Sequence, residues 1–140
     1  FAHEPAQAAA TIVAGAGAGL VGGSIEDYTG DPSNPIYDFN LAVERVHAAA
    51  EAAPSLDFPF TLTARAENLL HGRQDLDDTI RRLQAYEAAG ADVLYAPGLT
   101  SKDDIATLIR SAAEPCSDAR SSARRSCRRR YGSSSARLTP

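Results

Sequence analysis

The chain has 140 residues, 44% hydrophobic and 23% charged, enough for one domain with a core. No apolar run approaches the roughly 20 residues that span a bilayer, and the opening Phe1-Ala2-His3-Glu4-Pro5 lacks the basic start and apolar block of a signal peptide, so a cytoplasmic location is expected. The net charge of −4 hides two opposed parts: residues 119–140 hold seven arginines and no acid, a charge of +7, which leaves −11 on the rest.

Residues 5–17 are alanine-rich and open on Pro5, which suits a helix stopped by glycines. Leu20-Val21-Gly22-Gly23-Ser24-Ile25 is a short apolar run, predicted as a buried strand ending at Glu26-Asp27. Residues 28–34, with Gly30, Asp31, Pro32, Ser33 and Asn34, form a loop. Asp38 can cap a second helix whose apolar face is Leu41, Val43, Val46 and the alanines beyond, ended by Pro54. Residues 58–64 read as a second strand, terminating at Arg65-Ala66-Glu67-Asn68. Asp75 opens a third helix with Ile80, Leu83, Tyr86 and Ala89 three or four residues apart, and Gly90 closes it in a left-handed conformation. Residues 91–96 form a third strand halted by Pro97-Gly98, and Thr100 or Ser101 caps a fourth helix carrying Ile105, Leu108 and Ile109.

The strands begin near residues 21, 59 and 92, giving units of 38 and 33 residues, the length of a strand-loop-helix-loop module. Such a succession demands an α/β fold with a parallel sheet covered by helices. Polar residues gather after each strand's carboxyl end, where parallel α/β folds bind ligands. A complete (β/α)8 TIM-type barrel needs about 200 residues or more. Three βα units therefore amount to a barrel fragment, about half at most.

After Glu114 the apolar periodicity stops, and Ser, Arg and Ala dominate. We divide the chain into a partial barrel, 1–114, and a disordered basic tail, 115–140, with the composition that a shifted frame produces from a GC-rich gene. Sequencing the coding DNA tests that idea; an intact frame running into the tail would sink it. Cys116 and Cys127 lack a nearby His and Cys-x-x-Cys spacing, so they are read as incidental thiols rather than a zinc site or a disulfide.

Gly22-Gly23-Ser24-Ile25-Glu26-Asp27, then Thr63-Ala64-Arg65-Ala66-Glu67, then Ala89-Gly90-Ala91-Asp92 together resemble the central part of the isocitrate lyase/phosphoenolpyruvate mutase superfamily over residues 1–114. The Ile-Glu-Asp and Ala-Arg-x-Glu strand ends, about 40 residues apart with a helix between, carry the resemblance. It implies a barrel that binds Mg²⁺, with Mn²⁺ as the alternative, and a small 2-oxo acid or its enolate. Glu26 would be a metal-site carboxylate acting through bound water, and Arg65 would hold the substrate carboxylate or developing oxyanion. Gly23, Glu67 and Asn68 would lie beside the substrate, and Asp27 would be a loop cap or support. His71 lies on the same loop as Asn68.

In the lyase branch of this superfamily the loop after the Ile-Glu-Asp strand carries a Cys that serves as acid and base. Here it reads Tyr28-Thr29-Gly30-Asp31-Pro32-Ser33-Asn34-Pro35, and Asn34 falls where phosphonomutases have Asn. Asn hydrogen-bonds but does not transfer protons, which turns the reading from a thiol-dependent lyase toward a phosphonomutase, with an oxaloacetate-type decarboxylase or hydrolase as the alternative. The family's main metal-binding aspartates lie on earlier strands, and Phe1 resembles a residue at or just past that motif. We therefore expect little or no activity from these 140 residues alone, although members of the family form homo-oligomers.

Two plainer readings compete. Glu26 and Arg65 could be a simple ion pair between neighbouring strand ends, and Asn34 a turn residue beside Pro35. The arginines of the tail could also bind nucleic acid without sequence preference, although only Tyr131 could stack a base there.

Overall fold

The computed structural model describes residues 3–113. The predicted boundary at 114, the basic tail 115–140 and both cysteines lie outside the described residues. In chain order the elements are α1 (Pro5–Gly17), β1 (Gly22–Glu26), α2 (Phe39–Ala52), a 3-10 turn (Ala53–Ser55), β2 (Thr61–Arg65), α3 (Leu76–Ala88), β3 (Val93–Tyr95) and α4 (Lys102–Ala113). The three strands are parallel, in the spatial order β1-β2-β3. Each strand thus lies beside its predecessor, the winding of a barrel rather than of a doubly wound sheet, whose order reverses. Among the described residues, no helix is long and apolar enough to cross a membrane.

Helix boundaries follow local chemistry. The Asp38 side chain accepts from the Asn40 and Leu41 N–H groups, and the Asp75 side chain from the Asp78 N–H, relieving donors that the first helical turn leaves unpaired. Helix α3 ends as predicted at Gly90, whose φ is +107°. Gly90 N–H donates to Glu87 O, and Ala91 N–H to Tyr86 O, both at 3.0 Å, the paired bonds of a Schellman motif.

The strands begin two or three residues later than the apolar runs do. Leu20 and Val21 are 54% and 70% exposed ahead of β1, and Phe58-Pro59 lie outside β2, since Pro59 has no N–H for the ladder.

The sheet has two unlike faces. Ile25, Leu62 and Ala64 are buried against Ala8 and Ile12 of α1, Ala42, Val46 and Ala49 of α2, and Leu83 and Tyr86 of α3. The alternating positions Ser24, Thr63, Val93 and Tyr95 point the other way. Among the described residues nothing covers that face, and Val93 and Tyr95 stand 44% and 50% exposed.

Candidate functional site

The parallel register sets Glu26 beside Arg65, and Arg65 beside Tyr95. The sheet thereby lines up an acid, a base and a phenol at the carboxyl end of its open face. Arg65 is the centre of the group. Its Nε donates to Glu67 Oε1 at 2.7 Å and lies 3.6 Å from Glu26 Oε2. Its Cζ stands 5.2 Å from the centre of the Tyr95 ring, within cation–π range. The hydrogen bond to Glu67 raises the Arg65 pKa above its ordinary value, against a smaller opposing effect of burial. Among the described residues no hydrogen bond uses either Arg65 Nη group, so the outer end of the guanidinium fork remains open.

Glu67 is 2% exposed and is itself held. Its N–H donates to Asp27 Oδ1 at 2.7 Å, and its Oε2 lies 3.8 Å from His71 Nε2. The His71 ring stacks on Tyr28, centres 4.0 Å apart and planes 2° apart, so the loops following β1 and β2 are joined beside Arg65. Gly98 brings the third loop in: at φ +89°, a Cβ there would sit 3.0 Å from Leu70 N.

Behind the row lies a buried charged network. Asp27 Oδ2 accepts from Tyr86 OH at 2.7 Å and from Arg82 Nη1 at 3.2 Å, while Arg82 Nε donates to Asp78 Oδ2 at 2.8 Å. Burial alone would raise the Asp78 pKa, but hydrogen bonds from Arg81 and Arg82 hold it down at about 2. Burial, then the Asp27 carboxylate, pushes the Tyr86 hydroxyl far above its usual pKa, so Tyr86 is a fixed neutral donor. On the β1 side, Arg45 Nη1 donates to the Glu26 carbonyl at 2.7 Å and fixes that strand end.

The structure thus brings Glu26, Arg65 and Glu67 together. Asn68, fully buried, donates through Nδ2 to Asp78 Oδ2 and so joins the network behind the row; among the described residues its Oδ1 has no hydrogen-bond partner. Gly23 turns its α-carbon toward the helices, where a Cβ would meet Phe60 at 3.4 Å and Ile12 at 3.8 Å. Asn34 is exposed in a loop closed by Thr29 N–H to Pro35 O and the Tyr28–Ile36 bridge, and its hydrogen bonds, to Asp31 and Thr29, run through its backbone.

The sequence assigns no site role to Tyr95, Tyr28, Arg45, Arg82 or Tyr86, and places Tyr86 only on the apolar face of α3. For two of them a signal exists: Arg45 and Arg82 share the buried stripes of their helices, with Ala42, Val46 and Ala49, and with Thr79, Leu83 and Tyr86. A charge at such a position demands a buried partner.

Among the described residues no group of three or more His, Cys, Asp or Glu side chains is disposed to hold a metal ion. Glu26, with 45% of its side chain exposed, is a hard oxygen donor that fits Mg²⁺ as one carboxylate among waters. A groove of about 700 Å³ lined by Pro54, Phe58, Phe60 and Val93 opens at the strands' amino ends, away from this row.

Residues 1–123 match the family model described as phosphoenolpyruvate phosphomutase. Among solved structures, the chain is similar to a candidate lyase/mutase from Burkholderia cenocepacia J2315, at 60% identity and a TM-score of 0.78 over 80% of this chain and 40% of that one. A candidate phosphonomutase from the same organism matches at 32% identity and a TM-score of 0.71, over 79% and 46% of the two chains. Phosphonopyruvate hydrolase in complex with oxalate and Mg²⁺ matches at 25% identity and a TM-score of 0.68, over 79% and 39%. The chain therefore spans less than half the length of each of these proteins. No curated protein matches it. The family model and the parallel βα fold agree: the chain belongs to the phosphoenolpyruvate phosphomutase family, of the phosphoenolpyruvate mutase/isocitrate lyase superfamily.

Proposed function

We propose that this chain carries part of a site at which a magnesium-assisted enzyme handles a small 2-oxo acid through its enolate, breaking or rearranging a C–C or P–C bond. The observation that carries this reading is the state of Arg65: Nε anchored on buried Glu67, Nη groups open at the strand carboxyl ends. A guanidinium held in that way loses little freedom when a carboxylate docks, and its planar fork matches the two oxygens.

Charge explains why a cation belongs in the reading. Glu26, Arg65 and Glu67 sum to −1, which repels an anionic ligand unless a positive charge joins it. Glu26 supplies one carboxylate for Mg²⁺, and the oxalate and Mg²⁺ held by the phosphonopyruvate hydrolase neighbour support the pairing. When bound, the metal stabilises negative charge on a substrate oxygen. The residues of this chain bind and orient: Arg65 takes the carboxylate, and Glu67 fixes the guanidinium plane. Asn34 offers a neutral amide, which favours a phosphonomutase, or a decarboxylase or hydrolase of oxaloacetate type, over a thiol-dependent lyase.

Isothermal titration of the 140-residue chain with oxalate, with and without Mg²⁺, tests the proposal. We expect weak, Mg²⁺-dependent binding that Arg65→Ala abolishes. Binding that is absent from the wild-type chain, or that survives Arg65→Ala unchanged, refutes it.

A further inference from the structure

Tyr95 has chemistry that the reading above leaves unused. It is the in-register neighbour of Arg65, stands half-exposed on the open face of the sheet, and lies with its ring 5.2 Å from the guanidinium carbon. Among the described residues no hydrogen bond occupies its hydroxyl. A phenol without a partner beside an open guanidinium fork presents a second donor to whatever anion the fork holds.

We infer that Tyr95 is a ligand-positioning residue that selects dianions: with Arg65 gripping one acidic group, the Tyr95 hydroxyl donates to the second, and its ring holds the guanidinium plane. This rests on the proposed anion site at Arg65. Charge distribution makes the choice of a dianion physical. Glu26 flanks Arg65 on the β1 side, and an anionic group directed there meets like charge unless a cation intervenes. On the β3 side the same group meets a neutral donor. The two acidic groups of the ligand are thereby distinguished, one on the guanidinium and the other toward the phenol. Tyr→Phe keeps the ring and removes only the donor, so the two parts of the role separate.

Titrations of the full 140-residue chain with oxalate and with pyruvate, both with Mg²⁺, read this directly. Tyr95→Phe is expected to weaken oxalate about tenfold, the value of one hydrogen bond to a charged group, and to leave pyruvate within about twofold. Tyr95→Ala is expected to weaken both ligands, because the wall against the guanidinium is lost. Circular dichroism checks that each variant keeps the wild-type fold, and the surface position of the ring makes Tyr95→Phe structurally mild. Oxalate binding to Tyr95→Phe equal to wild type, or an equal loss for oxalate and pyruvate, overturns the assignment while leaving the Arg65 site standing. A wild-type chain that binds neither anion overturns the Arg65 site and this assignment together.

Discussion

Asp27 shows how much one buried carboxylate organises. It accepts from Glu67 N–H, Tyr86 OH and Arg82 Nη1 and is 2% exposed. Removing it orphans a backbone donor and a hydroxyl, and among the described residues leaves Arg82 with Asp78 as its one anionic partner. Asp27→Ala should therefore cost roughly 3–5 kcal/mol, the range for breaking a buried ion pair from one side. Tyr86→Phe, which removes one donor and keeps the packing, should cost about 1–2 kcal/mol. Urea unfolding followed by circular dichroism measures both, and a loss for Asp27→Ala no greater than for Tyr86→Phe would contradict the network. At this scale the sequence was legible where chain position alone decides: Glu26 and Arg65 end their strands, and Glu67 follows two residues later. The network was not, because Asp27 and Arg82 are 55 residues apart and only folding makes them neighbours. Tyr95 escaped notice for another reason: as a strand aromatic it reads as core, and only the open sheet face turns it outward.

Element identities could be read because the start and stop signals are local. Asp38 and Asp75 cap the helices they were expected to cap, and Gly90 ends α3. Strand starts were less accessible, since apolar residues such as Leu20 and Val21 continue the strand pattern before the ladder begins. Gly90 also serves packing: a Cβ there would come 2.9 Å from Ala50 Cβ on α2, in addition to the strain of φ +107°. Gly30 has a similar φ, +86°, with nothing within 4 Å of the added atom. Gly90→Ala should thus lose at least about 1–2 kcal/mol from the left-handed conformation alone. It should also lose clearly more than Gly30→Ala, the excess being the collision with α2. Denaturant midpoints compare the two, and equal losses would show that α2 yields freely at this contact.

For the molecule as a whole, the decisive asymmetry is between the two faces of its sheet. One is sealed by helices, while among the described residues the other carries Ser24, Thr63, Val93 and Tyr95 toward solvent between β1 and β3, strands with a neighbour on one side each. In a closed barrel the inward residues meet those of the remaining strands and no edge exists. Among the described residues the three-stranded sheet exposes what a barrel conceals, and exposed edges next to apolar side chains promote pairing with other chains. The chain should therefore self-associate, with a sedimentation coefficient that rises with concentration. Val93→Lys places a charge on the open face of β3, where Val93 is 44% exposed, so the folded chain tolerates it while face-to-face contact becomes costly. The variant should sediment as a monomer over a concentration range in which the wild-type chain does not. Equal association of the two would place the contact off the open face, on the strand edges or the outer side of the helices.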